Sequence, residues 1–369
     1  MASELQVRQP DEARELVRLA FEEAAGAFDG LHSIHGSIAE RAFRRTGAGG
    51  APAHWMHDRI VGWVYGALRT SVLGAGRLAD AGLARRPRVV STKPGGAALV
   101  AAINGLIGDT LERRQSALVQ PMSLRVGGEP IGTSRDALAA AYPEAAPRIA
   151  VFVHGLMETE FSWRWGSRET GETYGALLER ELGMTPVYVR YNSGRHISEN
   201  GRSLADLLEE VVAGWPVPVT EVALVGHSMG GLVARSAAHR ADLDRLVWPT
   251  LVRQVVSLGT PHMGAPLEQA VHYASAGLNL LPETQPFSRF LRRRSGGIRD
   301  LRQGSLVDED WRDRDPDVLR AEACAEVPLL KGATHCFVTA TITRSPRHPL
   351  GRLIGDCLVL QASGSGRSR

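Results

Sequence analysis

The sequence predicts an α/β fold: a doubly wound, mainly parallel sheet with a helical extension before it and an inserted cap within it. Three observations predict it. Short Val/Ile/Leu/Tyr-rich runs alternate with amphipathic segments from Ile149 onward. The runs show almost no polar alternation, as strands do in a parallel sheet covered on both faces. The first hundred or so residues carry helical periodicity instead.

Residues 1 to about 115 read as an N-terminal helical region. Leu16, Leu19, Ala20, Phe21, Ala24, Ala25 and Phe28 recur near helical spacing. A second helix is predicted over about Ala53–Ala81, on Ile60, Val61, Trp63, Val64, Leu68, Val72 and Leu73. Asp58 and Arg69 interrupt that apolar run, so it reads as a packed helix rather than a membrane span. Peripheral contact of these helices with a membrane surface stays open as a partner. Gly47–Pro52 reads as the loop between them, and Lys93-Pro94-Gly95-Gly96 as a turn. The pairs His32/His35 and His54/His57 have helical i, i+3 spacing but no supporting cysteine or carboxylate, so no metal is expected.

The second region, 116–369, opens with a hairpin: Leu118–Arg125 as strand and Val126–Pro130 as turn. Parallel strands are predicted at Ile149–Val153, Pro186–Tyr191, Val222–Val225, Gln254–Leu258 and Cys336–Ile342. Helices are predicted near Tyr174–Glu181, Leu204–Val212 (with Ser203 as N-cap) and Gly230–His239. Between about 263 and 331 the alternation breaks, over Pro282, Pro286, Arg292–Arg294, Gly296-Gly297 and the acidic Asp308–Asp317 stretch. A connection that long is an insertion, read as a cap or as an extra surface subdomain.

Composition narrows the partners. A formal net charge of +3 over 369 residues gives no basis for a nucleic-acid partner. Three cysteines, an odd number, do not make a disulfide framework, which points to the cytoplasm. The first twenty residues carry acids where a signal peptide needs a basic head and an apolar core.

The chemistry is carried by two stretches. In EVALVGHSMGGLVARSA an apolar strand runs into Gly226-His227-Ser228-Met229-Gly230 and a helix follows. A serine on so sharp a strand-to-helix turn sits in strained backbone with its hydroxyl clear of the sheet, and the flanking glycines permit the turn. The helix start directs N–H groups and a positive dipole end at a developing oxyanion. In IAVFVHGLMETE a buried strand ends in His154-Gly155. The N–H groups of Leu156 and Met229 are the expected oxyanion donors, and His154 is expected to hold the bend by hydrogen bonding.

These stretches, with Gly259-Thr260-Pro261-His262-Met263-Gly264, resemble the α/β-hydrolase superfamily, in particular bacterial lipases, esterases and proteins similar to GPI inositol-deacylases. Arg190–Gly201 resembles bacterial lipase-like proteins. The resemblance implies a serine hydrolase acting on carboxylic esters, a small-molecule ester or lipid substrate and no cofactor. It implies Asp356, in Gly355-Asp356-Cys357-Leu358-Val359, as the catalytic carboxylate, and a general-base histidine downstream. Thirteen residues follow Asp356 and none is histidine. The expectation is that the C-terminal end of the fold is missing. Three readings stay open: a truncated chain, a substitute base among His262, His335 and His348, or a non-catalytic relative. An acyltransferase on the same scaffold is the alternative activity.

Overall fold

A computed structural model describes residues 11–44, 51–83, 88–264, 294–315 and 323–339. The described residues divide into two units: 11–44, 51–83 and 88–90 with 116–118, and 91–115 with 119–264, 294–315 and 323–339.

The first unit is an antiparallel pair of helices, α1 (Glu12–Arg44) and α2 (Ala51–Leu83). At 1.5 Å per residue each is about 50 Å long. Both outrun the sequence expectation, because the polar and small residues beyond each apolar stripe are good enough helix formers to extend it. The pairing register is set by Arg14 with Asp80, Arg69 with Asp29 at 3.3 Å, and His32 stacked on Tyr65 at 5.1 Å between ring centroids. Gly76 lies against Phe21, where a Cβ would come within 2.8 Å of the Phe21 Cβ. No helix among the described residues is long and apolar enough to cross a membrane.

In the second unit α3 (Pro94–Arg113) comes first, then the hairpin β1 (Ser123–Val126) and β2 (Glu129–Ile131), and α4 (Arg135–Ala141). Strand β3 (Arg148–Val153) is followed by the single turn α5 (Ser167–Thr170), α6 (Tyr174–Leu182), β4 (Thr185–Arg190), α7 (Ile197–Gly214) and β5 (Glu221–His227). Then come α8 (Met229–Leu243), β6 (Val252–Leu258), α9 (Gly296–Leu301) and β7 (Thr334–Val338). Two sequence expectations are corrected here. Lys93–Gly96 is no turn: Pro94 opens α3 with Lys93 as its N-cap, a place where a missing N–H costs nothing. Ser203 is not an N-cap: α7 begins seven residues before Leu204, at Ile197, and His196 is its N-cap. There the Glu199 carboxylate accepts the His196 N–H at 3.2 Å.

The described strands form one sheet in the order β2-β1-β4-β3-β5-β6-β7. Strand β1 runs antiparallel to β2 and β4, and all other pairs are parallel. Ile149, Val151, Val153, Val187, Val189, Val222 and Leu224 pack on one face beneath α7 and α8, with Leu204, Leu208, Leu232 and Val233. Ala150, Phe152, Ala223 and Val225 pack on the other with Trp163 and Met184. Burial on both faces is why these strands read as unbroken apolar runs.

The register fixes which ends meet. Gly226 pairs with Val153 and with Ser257, and His227 pairs with Leu258, which pairs with Val338. The carboxyl ends of β3, β5 and β6 therefore converge on one edge, where open α/β sheets bind ligands.

Candidate active site

Ser228 stands between β5 and α8 with φ 50° and ψ −121°. A non-glycine residue there is strained by about 1–3 kcal/mol, which persists only where the surroundings impose it. They do. The Ser228 N–H donates to Leu258 O at 2.8 Å, and its carbonyl accepts from Gly231 N at 3.2 Å. Gly230 is needed for the approach of β3: a Cβ there would lie 2.2 Å from Val153 O and 2.5 Å from His154 O. These are backbone atoms that cannot step aside. Gly230→Ala is expected to cost at least 2 kcal/mol (about 1–3 for overpacking), read from the urea midpoint. A change under 0.5 kcal/mol would contradict the packing.

The second bend follows β3. Ser228 is half-buried, not interior, and a Cβ on Gly155 would lie 3.1 Å from the Ser228 Cβ. The bend of residues 154–157 thus reaches the elbow directly. Met157 takes φ 59°, a second strained non-glycine residue beside the first. The Gly155 carbonyl is held twice, by His154 Nδ1 at 2.9 Å and by the Glu158 N–H at 3.4 Å. The Gly155–Leu156 peptide is planar and trans, so holding its oxygen aims the Leu156 N–H the opposite way. Leu156 makes no backbone hydrogen bond to a described residue. Met229 is the first residue of α8, where the N–H has no intrahelical partner and the helix end is positive.

His154 is fully buried. Its Nε2 accepts from Tyr191 N at 3.3 Å, and Tyr191 donates its hydroxyl to His154 O at 2.7 Å. Desolvation pushes its pKa down to about 4, so the ring is neutral and its Nδ1–H is the donor to Gly155 O.

A carboxylate not foreseen from the sequence joins the two bends. Glu158 Oε2 accepts from Gly155 N at 2.8 Å and meets His227 Nδ1 at 2.9 Å. Burial by itself pushes the Glu158 carboxyl up. The His227 hydrogen bond and charge and the Gly155 N–H outweigh it and hold the group below the usual carboxylate range.

The candidate bases are placed unequally. His335 lies at the start of β7, opposite Val255 and three residues before Val338. At 3.3 Å per residue that is about 10 Å from the edge where Ser228 stands. Its Nε2 faces Leu330 O at 3.1 Å. The expectation that His335 sits near the serine is thereby corrected: His335 stands near the amino end of a parallel strand, and the carboxyl end is the one that reaches the elbow. His262 is on the loop after β6, 1% exposed, with Nδ1 3.5 Å from Arg235 and its ring edge-on to Phe337. It shares a small, mostly apolar cavity with His335, Arg235 and Gly231. His348 and Asp356 lie outside the described residues.

The sequence reading also missed the ties of the insertion. His196 Nδ1 meets Asp300 Oδ1 at 3.0 Å, while Asp300 Oδ2 accepts from Ile197 N at 2.7 Å. The His196 ring stacks on Trp311 at 3.6 Å. Burial pushes the Asp300 carboxyl up, against those two hydrogen bonds. Asp308 adds bonds to Ser198 at 2.6 Å and Arg202 at 2.8 Å. Residues 294–311 are thus fastened to the start of α7. The partners are more than a hundred residues apart, and the acidic run gave the only hint in the sequence.

Residues 151–289 match the family model of the PGAP1-like alpha/beta domain. A triacylglycerol lipase of Burkholderia plantarii is 31% identical over 152 residues, 38% of this chain and 36% of that protein. A triacylglycerol lipase of Pseudarthrobacter phenanthrenivorans is 34% identical over 131 residues, 33% of this chain and 35% of that protein. The chain therefore spans about a third of the length of these curated relatives. Among solved structures, the mature form of the Bacillus licheniformis lipase BlEst2 is similar at 20% identity, over 54% of this chain and 69% of that one, with a TM-score of 0.34. The sheet order and the elbow are those of an α/β-hydrolase fold, and over the matched residues the chain is similar to the PGAP1-like alpha/beta domain and to triacylglycerol lipases.

Proposed function

We propose that this protein is a serine hydrolase of carboxylic esters, with Ser228 as nucleophile. The observation that carries the reading is the strained Ser228 at the end of β5, with the Gly155–Leu156 bend against it. Attack of Ser228 Oγ on an ester carbonyl places negative charge on the carbonyl oxygen. In this reading the Leu156 and Met229 N–H groups receive it. The serine proton goes to a histidine that Asp356 orients, then to the leaving alcohol, and water releases the acid from the acyl-enzyme. The relatives named as triacylglycerol lipases support an ester or lipid as the substrate class. The inserted segment is read as the cap, and the cytoplasm as the compartment. A fluorophosphonate probe should label wild-type protein on Ser228 and leave Ser228→Ala unlabelled. Labelling of both would overturn the reading. His262→Ala, His348→Ala and Asp356→Asn, tested alongside, identify the base and its partner by loss of labelling. Acyl transfer would instead show as an ester product when an alcohol acceptor is added.

The proposal includes a lipid surface as partner of the helical unit. Trp63, Ile60, Met56 and Leu78 of α2 are 74, 56, 57 and 77% exposed. At about 100° per residue they share one arc with Arg59 and Arg77. Both acids of α2 lie outside that arc: Asp80 holds Arg14, and Asp58 meets His54 and His57. Two copies of such a face would set like charges together, whereas an anionic bilayer accepts both its apolar and its cationic side chains. Ser228→Ala protein should co-sediment with ether-linked phosphatidylglycerol vesicles, and Trp63→Ala/Ile60→Ala should weaken this at least tenfold. Equal binding by both proteins, or loss of a dimer without vesicle binding, would refute the contact.

A further inference from the structure

We infer that Glu158 and His227 form a positioning pair that holds the two oxyanion donors at their working separation. The inference deepens the reading of Ser228 as nucleophile and rests on it.

The two donors come from parts of the chain about seventy residues apart, and each sits beside strained backbone: Leu156 precedes Met157 at φ 59°, and Met229 follows Ser228 at φ 50°. Strain of this kind relaxes unless something opposes it. One carboxylate oxygen reaches both sides. Glu158 Oε2 takes the Gly155 N–H, one residue before the first donor. It also takes the ring nitrogen of His227, two residues before the second. The Glu158 side chain is 13% exposed and the His227 side chain 40% exposed, so the tie is sheltered on one side only.

The directions of the bonds matter. The Gly155 N–H points to Glu158, and the Gly155 carbonyl is held by His154 and by Glu158's own N–H. Both peptide planes flanking Gly155 are thereby fixed, and with them the aim of the Leu156 N–H. On the other side, His227 is the last residue of β5 and is covalently joined to Ser228. A shift of the bend away from the elbow would have to break a hydrogen bond to an ionised carboxylate, among the stronger kinds available to a side chain. The bonds of Glu158 Oε2 go to Gly155 and His227, and Glu158 is assigned no contact with the ester. It acts through Gly155 and His227, and a misplacement on the order of 1 Å is enough to lower a rate about a hundredfold.

The experiment is the acylation of full-length protein by a fluorophosphonate, resolved into the maximal rate of inactivation and the half-saturating probe concentration. Glu158→Ala should lower the maximal rate about ten- to a hundredfold and leave half-saturation unchanged, because reagent binding does not use the donors' aim. Glu158→Gln keeps an oxygen acceptor and should recover most of the rate. His227→Gln, at a half-exposed position that does not endanger folding, should reproduce the Glu158→Ala defect. The double variant should be no slower than either single one, since one tie can be broken only once. If wild-type protein labels on Ser228 and both Glu158→Ala and His227→Gln label at the same maximal rate, the positioning pair alone is refuted. If Glu158→Gln is as slow as Glu158→Ala, charge and not position is at work, and the inference is equally refuted. If wild-type protein does not label on Ser228, the nucleophile assignment fails and the pair falls with it.

Discussion

Ser228→Ala is expected to lower the hydrolysis of a short-chain p-nitrophenyl ester on the order of 10⁵-fold, to the residual rate that oxyanion donors and binding supply without a nucleophile. The loss should fall on kcat, because the hydroxyl takes part in bond making and not in holding the ground state. Stability separates the variants further. Alanine at 228 meets the same φ of 50° as serine does, so Ser228→Ala should unfold within about 0.5 kcal/mol of wild type. Ser228→Gly removes the Cβ from that strained backbone. It should gain about 1 kcal/mol in urea unfolding while remaining inactive. A stabilised, inactive glycine variant would show strain stored at the reactive residue. Hydrolysis by Ser228→Ala at the wild-type rate would mean that the elbow is not where the chemistry happens.

Glu160→Ala is expected to cost about 3–5 kcal/mol of stability. Arg190 is 1% exposed at the end of β4 and Glu160 is 6% exposed. They share two parallel bonds, Nε to Oε2 at 2.7 Å and Nη2 to Oε1 at 2.5 Å. Nη1 donates to Ser91 O at 2.7 Å and to Gln120 Oε1 at 3.3 Å, and the Phe161 ring lies 5.7 Å from the guanidinium carbon. Removing the carboxylate leaves a buried cation without its counter-charge, and that penalty, not the worth of the pair, sets the size of the effect. Glu160→Gln keeps an acceptor and should cost less. Urea unfolding of the two variants provides the test, and a loss below 1 kcal/mol for Glu160→Ala would contradict it. The pair also anchors the segment 191–196 that follows β4. Its loss should therefore loosen Ser193, whose Oγ accepts the Met157 N–H at 3.0 Å, and with it the bend beside Ser228.

Local pattern made much of the fold legible. Strands β3, β4, β5 and β6 were readable within three residues at each end because burial on both faces leaves an apolar run with no other use. The elbow was readable because its residue types are demanded locally: the strain is in the serine's own backbone and the glycines adjoin it. The start of α7 was not readable, because its N-cap His196 and first residues Ile197 and Ser198 are held by partners in the insertion, Asp300, Asp308 and Trp311. His335 was misplaced for a related reason. A histidine's distance from Ser228 depends on which end of a parallel strand it occupies, and His335 stands near the amino end of β7, opposite Val255.

What the sequence determined by itself is the set of properties that depend on neighbours along the chain: strand, turn, helix, and a serine where the turn is tightest. Tertiary structure decided which charges meet. Glu158 and Glu160 stand two residues apart in one quoted stretch, yet one faces His227 and the other Arg190. That choice lies in which side of the bend each side chain leaves by, and in which distant strand end has been brought there. Such contacts join residues 30 to 106 positions apart. Residue order carries no local trace of them, because an ion pair needs only two opposite charges and a fold that delivers them to one place.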